Sequence, residues 1–367
     1  MSNLRIVCMD NILEIGKSVD KFLMIKNKVK SSYLMNVKRD RFNNGEGKFT
    51  ILESIRDKDV FILSDVGNYG VTYNMHGIDV PMGPDEHFQD IKRCISAMSG
   101  YAKRIVLVMP LLYQSRQHRS KGRESLDCAI ALQELIKMNV DCIMTIDCHD
   151  PNVQNAIPFT PFENLYPSHY ILEEFLKNED IDYRKVMAIS PDYGAISRTT
   201  YYANILGCPM GTFNKRRDYS KVQNGTNAIV SHEYNGGSVK GKNMFIVDDM
   251  IASGSSILDT ARRLKAKGAT NIYFVASFCL FTNGIEMFDK AYEENLFKAI
   301  YTTNATYIPE EYKKRPYLKV VDISPYIAEV IEAMNRGESI SDLLDGRDKK
   351  LVLVHEVNQR KGKRTNK

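Results

Sequence analysis

Two adjacent carboxylates, Asp248 and Asp249, stand just before a run of small residues, Ala252-Ser253-Gly254-Ser255-Ser256. Carboxylates repel phosphate, but they suit sugar hydroxyls or a magnesium ion. A loop without side-chain bulk lets backbone N–H groups converge on a phosphate, and a helix starting there adds positive potential. Other candidate groups lie elsewhere. His149 sits between Asp147 and Asp150, Asp192 precedes Tyr193-Gly194, and Lys215 and Arg217 stand two apart. A basic loop carries Arg116, Arg119, Lys121 and Arg123. Asp and His with phosphate oxygens suit an octahedral magnesium ion that keeps several waters. Lys215 and Arg217 suit charge stabilisation on a phosphoryl group in transfer. Taken singly, each has an ordinary reading as a hydrogen-bonded histidine, a solvated turn or an exposed basic loop. Gly16-Lys17-Ser18 and Gly47-Lys48 do not make a P-loop: Asn11 takes the place of the first glycine, and Phe49 follows Lys48.

The elements that must position these groups read as alternating strands and helices. Residues 244–247 (MFIV) form a short apolar run of the kind a parallel sheet buries on both faces. Ile257, Ala261 and Leu264 then recur at helical spacing, Gly268 ends the helix, and Ser256 with Asp259 gives a capping-box-like start. Further strands are predicted at 4–7, 59–64, 104–109, 140–146, 186–189, 210–213, 271–277, 298–302 and 318–321. Helices are predicted at 88–98, 126–136, 166–176, 199–206, 286–294 and 325–334. Residues 65–86 read as a Gly/Pro/Asn-rich surface loop or insertion, and 218–241 as a polar, Gly-rich stretch. This alternation predicts an α/β protein of two doubly wound parallel-sheet domains.

Composition narrows the class. A chain of 367 residues has room for two cores. No apolar run approaches the roughly 18–20 residues of a membrane span. The opening MSNLRIVCMD lacks the basic and apolar regions of a secretory signal. Seven scattered cysteines without a C-x-x-C pair argue for reduced thiols in a cytoplasmic protein and against a zinc site or disulfide framework. The net charge of +5 is concentrated at one end: residues 347–367 carry eight basic and two acidic side chains, leaving the rest near −1. No global basic field points to nucleic acid, and the tail reads as a solvated, disordered terminus.

The order of the motifs resembles one known family, the ribose-phosphate pyrophosphokinases, from about residue 41 to 344. Arg41-Phe42-Asn43-Asn44-Gly45-Glu46 resembles the family's adenine-nucleotide segment, with Glu53-Ser54-Ile55-Arg56 after it. Ser115-Arg116-Gln117-His118-Arg119 resembles its ATP-binding loop, and Ile146-Asp147-Cys148-His149 its metal-histidine segment. Ser190-Pro191-Asp192-Tyr193-Gly194 is similar to the ribose-phosphate and metal aspartate region. Lys215-Arg216-Arg217 resembles the start of the family's catalytic flap, and Val247 to Ser256 resembles the ribose-phosphate loop shared with phosphoribosyltransferases.

The resemblance implies domains of phosphoribosyltransferase-like type. Residues 1–165, completed by 324–345, would form the ATP side, 166–323 the ribose-phosphate side, and 346–367 a disordered tail. It implies transfer of the diphosphoryl group of Mg-ATP to ribose 5-phosphate, giving phosphoribosyl diphosphate and AMP. Phe42, Asn44, Glu46, Arg116 and Gln117 would bind ATP. Asp248 and Asp249 would hold the ribose hydroxyls, and Ala252, Ser253, Gly254, Ser255 and Ser256 the 5-phosphate. His149 and Asp192 would serve magnesium, and Lys215 and Arg217 would be catalytic. A homo-oligomer of dimers, up to a hexamer, is implied as well. The chain departs from the family pattern where Asn44, His118 and Ala252 each replace an acid. A phosphoribosyltransferase and a non-catalytic regulatory homologue are the alternative readings.

Overall fold

A computed structural model of the protein describes residues 3–223 and 226–363, with the backbone alone at 215–232, 345, 347 and 363. The chain divides into two compact units: residues 1–167, 304–309 and 322–345 form the first, and 168–303, 310–321 and 346–367 the second. Both are α/β with parallel sheets, as expected from the alternation of apolar runs and amphipathic helices.

The first unit contains β1 (Leu4–Cys8), α1 (Leu13–Lys26), β2 (Val37–Arg41), β3 (Gly47–Ile51) and β4 (Asp59–Leu63). It continues with β5 (Thr72–Met75), β6 (Ile78–Pro81), α2 (Pro84–Met98), β7 (Arg104–Val108), α3 (Asp127–Lys137), β8 (Cys142–Ile146) and β9 (Phe162–Leu165). Its main sheet is five-stranded, in the order β1-β4-β7-β8-β9, and every pairing is parallel. Strands β4 and β8 are buried at every position, matching their unbroken apolar sequences. β2–β3 and β5–β6 are separate antiparallel hairpins. The stretch expected to be a surface loop at 65–86 thus contains β5, β6 and the start of α2, turned at His76-Gly77 where Gly77 has φ +80°.

The second unit contains α4 (Ser168–Asn178), β10 (Val186–Ser190), α5 (Ile196–Leu206), β11 (Met210–Gln223), β12 (Thr226–Asn235), β13 (Asn243–Ile251) and α6 (Ser255–Ala266). After these come β14 (Ile272–Cys279), α7 (Glu286–Glu293), β15 (Ala299–Thr303), α8 (Glu310–Lys313) and β16 (Leu318–Val321). The seven-stranded sheet runs β12-β11-β10-β13-β14-β15-β16. Strand order reverses between β10 and β13, which pair in parallel from Val186↔Asn243 to Ile189↔Ile246. Ligands of open α/β sheets bind beyond the carboxyl ends of the strands at such a switch point. The short strand expected at 210–213 is the start of the longer β11, which turns back as β12.

Three helices follow: α9 (Ser324–Arg336) and α10 (Ser341–Asp345) belong to the first unit, and α11 (Arg347–Lys363) to the second. α9 packs on α1, and the nearly buried Glu332 meets Lys26 at 2.7 Å. Residues 347–363 of the basic tail expected to be disordered form a helix instead, and 364–367 lie outside the described residues. α11 lies on α4 and α5, burying Leu353 and Val357, and its cations are used internally. Lys361 Nζ donates to the Leu206 and Gly207 carbonyls at 2.7 and 2.9 Å, closing the C-terminus of α5. Lys349 lies over the Tyr170 ring, Lys350 over Tyr201 and Arg360 over Tyr183. The aromatic partners lie far away in sequence, so charge counting alone reads the segment as a solvated terminus.

Burying Leu353 and Val357 is worth on the order of 3 kcal/mol together. Ending the chain at residue 346 is therefore expected to lower the melting temperature of the second unit by roughly 6–12 °C. Calorimetry of the truncated chain checks this, and an unchanged transition would mean that α11 contributes nothing. The same contact predicts a pH effect. Burial, and then Lys349 and Lys350, push His169 down to about 3 from its ordinary 6.5. The folded unit holds the imidazole neutral, so this contribution is complete above the ordinary value and is lost as pH falls through it toward 3. Lowering the pH from 7 to 5 is expected to cost about 2 kcal/mol of unfolding free energy. Denaturant unfolding of His169→Gln at both values tests the source, since a loss as large as in the parent chain would exclude His169.

Candidate active site

The second unit builds a candidate site at its own switch point. β13 is buried from Asn243 to Val247 and continues through the two acids to Ile251, where it still pairs with β14 at Cys279. Asp248 and Asp249 are therefore strand residues rather than the first residues of a loop. Asp249 is 3 % exposed, and its N–H donates to Asp248 Oδ1 at 2.9 Å. Burial, and then the charges of Asp249 and Asp192, raise the Asp248 carboxyl well above the usual carboxylate range, with Arg198 opposing. Three carboxylates in one field favour hydroxyl donors beside them.

The small-residue loop is held from below. Leu280 N–H donates to the Ile251 carbonyl at 2.8 Å and Thr282 N–H to the Ala252 carbonyl at 3.0 Å. Gly254, not Ser256, is the N-cap of α6, at φ +87°. The capping-box expectation fails because the chain turns two residues earlier, which places Ser256 inside the first helical turn. Glycine is required here: a Cβ would come within 2.3 Å of Phe288 Cζ, which is buried. The first-turn N–H groups of α6 lack intrahelical acceptors, which is the arrangement that suits an anion. Ser253 and Ser255 bring their hydroxyls to 3.3 Å of each other at its rim. The structure gives the Ala252 methyl no role; its carbonyl is the engaged group.

Asp192 follows β10, next to β13 in the sheet. Its Oδ1 accepts from the N–H groups of Gly194 and Ala195 at 3.0 and 3.3 Å, which fixes the carboxylate ahead of α5. Lys215 and Arg217 lie on the β11 backbone opposite His232 and Ile229 of β12, with a register shift between Arg216 and Arg217. Their side chains lie outside the described residues.

The first unit gathers Phe42, Asn44 and Glu46 in the turn of the β2–β3 hairpin. Phe42 N–H donates to the Glu46 carbonyl at 2.8 Å, and Gly45 takes φ +91°. Phe42 is 54 % exposed, a ring presented for stacking. Asn44 brackets Glu46: Nδ2 donates to Glu46 Oε2 at 3.0 Å, and Oδ1 accepts the Glu46 N–H at 3.1 Å. An aspartate could accept but not donate there, which gives the Asn44 departure a physical meaning.

Sequence reasoning missed what holds this hairpin. Asp90 of α2, 1 % exposed, accepts from Arg41 at 2.7 Å, Arg93 at 2.6 Å and Arg39 at 3.4 Å. Arg41 also donates to the Gly45 carbonyl at 3.2 Å and lies over the Tyr73 ring. The alternating charges of 38–41 and the i,i+3 pair Asp90–Arg93 were the available signals.

At the ends of the neighbouring strands β7 and β8 stand the remaining candidates. Arg116 is exposed. Gln117 is not simply presented to a ligand: its Nε2 donates to the Ser125 carbonyl at 2.8 Å and the Arg119 carbonyl at 3.3 Å, stapling the basic loop. His149 is exposed beyond β8, after a buried Asp147 at φ +41°. That conformation is costly for a non-glycine residue and often marks a functional turn.

Among the described residues, no cluster of three or more His, Cys, Asp or Glu side chains could hold a metal ion. Magnesium does not need one, since it takes one or two carboxylates and completes its shell with waters and substrate phosphates. The Asp192 carboxylate, fixed by two N–H groups, fits that donor chemistry.

Two family models match in register with the two units. The N-terminal domain of ribose phosphate pyrophosphokinase covers residues 4–138, and the phosphoribosyl transferase domain covers 171–315. The chain belongs to the ribose-phosphate pyrophosphokinase family. A ribose-phosphate pyrophosphokinase of Chlorobaculum tepidum is 29 % identical over 318 residues, 86 % of this chain and 89 % of the relative. That of Prochlorococcus marinus is 25 % identical over 345 residues, 93 % of this chain and 94 % of the relative. The crystal structure of phosphoribosylpyrophosphate synthetase from Mycobacterium smegmatis shares the fold, with a TM-score of 0.74 at 23 % identity, covering 91 % of this chain and 99 % of that one. Helices α9, α10 and α11 lie beyond the stretches that the pyrophosphokinase domain models match. No described helix is long and apolar enough to cross a membrane.

Proposed function

We propose that the protein transfers the β,γ-diphosphoryl group of Mg-ATP to the anomeric hydroxyl of ribose 5-phosphate, giving 5-phosphoribosyl 1-diphosphate and AMP. The observation that carries this reading is the switch point of the second sheet. There Asp248 and Asp249 of β13 precede a bulk-free loop that ends on the N-terminus of α6. The loop 252–256 takes the 5-phosphate and the two aspartates take the ribose hydroxyls. Phe42, Asn44, Glu46, Arg116 and Gln117 serve ATP, with Asn44 and Gln117 acting by holding Glu46 and the basic loop. His149 and Asp192 serve magnesium, which when bound would neutralise phosphate charge.

The anomeric oxygen attacks the β-phosphorus, the bond from that phosphorus to the bridging oxygen of the α-phosphate breaks, AMP leaves and the hydroxyl proton is released. Lys215 and Arg217 stabilise the diphosphoryl group in transit. Little covalent chemistry is asked of the protein, so positioning and charge stabilisation dominate. The reading carries a cytoplasmic homo-oligomer built from dimers, up to a hexamer, which a light-scattering mass measures.

Incubation with ATP, magnesium and ribose 5-phosphate should form AMP only when the sugar phosphate is present. No AMP at high protein concentration would contradict the proposal and favour a regulatory homologue. Asp249→Ala is expected to weaken ribose 5-phosphate binding about tenfold to a hundredfold, since it removes charge-assisted hydrogen bonds to the sugar. Calorimetric titration reads this, and parent-like affinity would remove Asp249 from the ribose.

A further inference from the structure

The β5–β6 hairpin fills a stretch that reads as a surface loop, and none of the roles above falls on it. Its pairs Tyr73↔Val80 and Met75↔Ile78 place four apolar or aromatic side chains on one face. On that face Tyr73, Met75 and Val80 are half-buried, whereas Thr72 and Asn74 on the other are exposed. The hairpin lies against the Phe42–Glu46 turn. The His76 N–H donates to the Asn43 carbonyl at 2.9 Å, from a turn in which His76 takes φ +52°. Met75 closes over Gly45, where a Cβ would come within 2.8 Å of Met75 Sδ and 3.6 Å of Tyr73 Cε2. The Arg41 guanidinium lies 4.8 Å from the Tyr73 ring centre and donates to the Gly45 carbonyl at 3.2 Å.

A two-stranded hairpin is marginally stable by itself, and Phe42–Glu46 is the turn of one. Asp90 holds its strands through Arg39 and Arg41, whereas the tip, at Asn43 and Gly45, answers to β5–β6. A binding loop that its ligand must order gives up affinity to that ordering, and a loop already held in shape does not. The His76 contact is made by backbone, so the side chains that carry the brace are Tyr73 and Met75.

We propose that Tyr73 and Met75 are positioning residues for the nucleotide: the β5–β6 hairpin holds the Phe42–Glu46 turn in the shape that presents Phe42 and Glu46 to ATP. Both act through Gly45 and Arg41 rather than by touching ATP. The inference deepens the proposed function, and rests on that reading for the turn's part in ATP binding.

The test reads two quantities on the full chain. One is hydrogen exchange over residues 42–46 without ligand, and the other is Mg-ATP affinity by titration calorimetry without sugar phosphate. The double variant Tyr73→Ala/Met75→Ala should exchange faster at 42–46 and bind ATP about tenfold more weakly, with ribose 5-phosphate affinity at the parent value. Tyr73→Phe keeps the ring face that Arg41 uses, so it should match the parent in both readouts. A merely structural role would not separate the two ligands in this way. Parent-like exchange in the double variant, or faster exchange with parent-like ATP affinity, would overturn the inference. Phe42→Ala separates the inference from the reading beneath it. Weaker ATP binding in Phe42→Ala but not in the double variant sinks the brace alone and leaves the turn at the nucleotide. Parent-like ATP affinity in both variants removes the turn from the nucleotide, and the inference with it.

Discussion

Gly254→Ala is expected to abolish measurable ribose 5-phosphate binding. The residue sits at φ +87°, where an alanine costs about 1–2 kcal/mol. The new methyl would meet Phe288 Cζ at 2.3 Å and Cε2 at 2.5 Å. Phe288 cannot swing away, because it is buried with Phe281 and Phe297 packed edge-on around it. Forced movement in such a core adds about 1–3 kcal/mol. If the loop takes up the strain, a total on the order of 3 kcal/mol means more than a hundredfold loss of affinity. Titration calorimetry measures it, with circular dichroism to show the sheet intact. Trimming the aromatic edge in Gly254→Ala/Phe288→Leu should recover part of the affinity. Parent-like binding in the single variant would mean that the cradle does not depend on this backbone approach.

Asp90→Ala should damage the nucleotide side just as selectively. One nearly buried carboxylate answers Arg39, Arg41 and Arg93, and among the described residues only Arg39 has a second acid, Asp10 at 2.7 Å. Removing it leaves cations facing one another, a change that costs 3–5 kcal/mol for a buried pair. The low end, about 3 kcal/mol, applies because Arg93 is a quarter exposed and can reach water. The loosened element is the hairpin that carries Phe42, Asn44 and Glu46. The KM for ATP is therefore expected to rise at least tenfold, while ribose 5-phosphate affinity stays at the parent value. Steady-state kinetics with each substrate varied in turn separates the two. An ATP KM unchanged alongside a lowered melting temperature would make Asp90 purely structural.

Both predictions turn on features with different legibility. The β13–loop–α6 unit was readable because its signals are local: an apolar run buried on both faces, small residues, then helical spacing closed by Gly268. Its fine structure was not. The carboxylates remain in the strand and Gly254 caps the helix, since the cap is decided by the packing of Phe288, distant in sequence. The β2–β3 hairpin escaped notice because Val37-Lys38-Arg39-Asp40-Arg41 has no apolar alternation; its inward face is charged and is satisfied by Asp90 on α2. α11 was misread for a related reason. Its buried face is little more than Leu353 and Val357, and its cations find tyrosines and carbonyls from other helices. Long-range charge pairing leaves almost no trace in a local window, whereas apolar periodicity does.

The most direct measurement of diphosphoryl transfer is the fate of ATP labelled with ³²P at the β-phosphate, incubated with ribose 5-phosphate and magnesium. Attack at the β-phosphorus predicts that the label appears in the phosphoribosyl diphosphate while the AMP formed is unlabelled. Label recovered as ADP, or left in ATP, would contradict it.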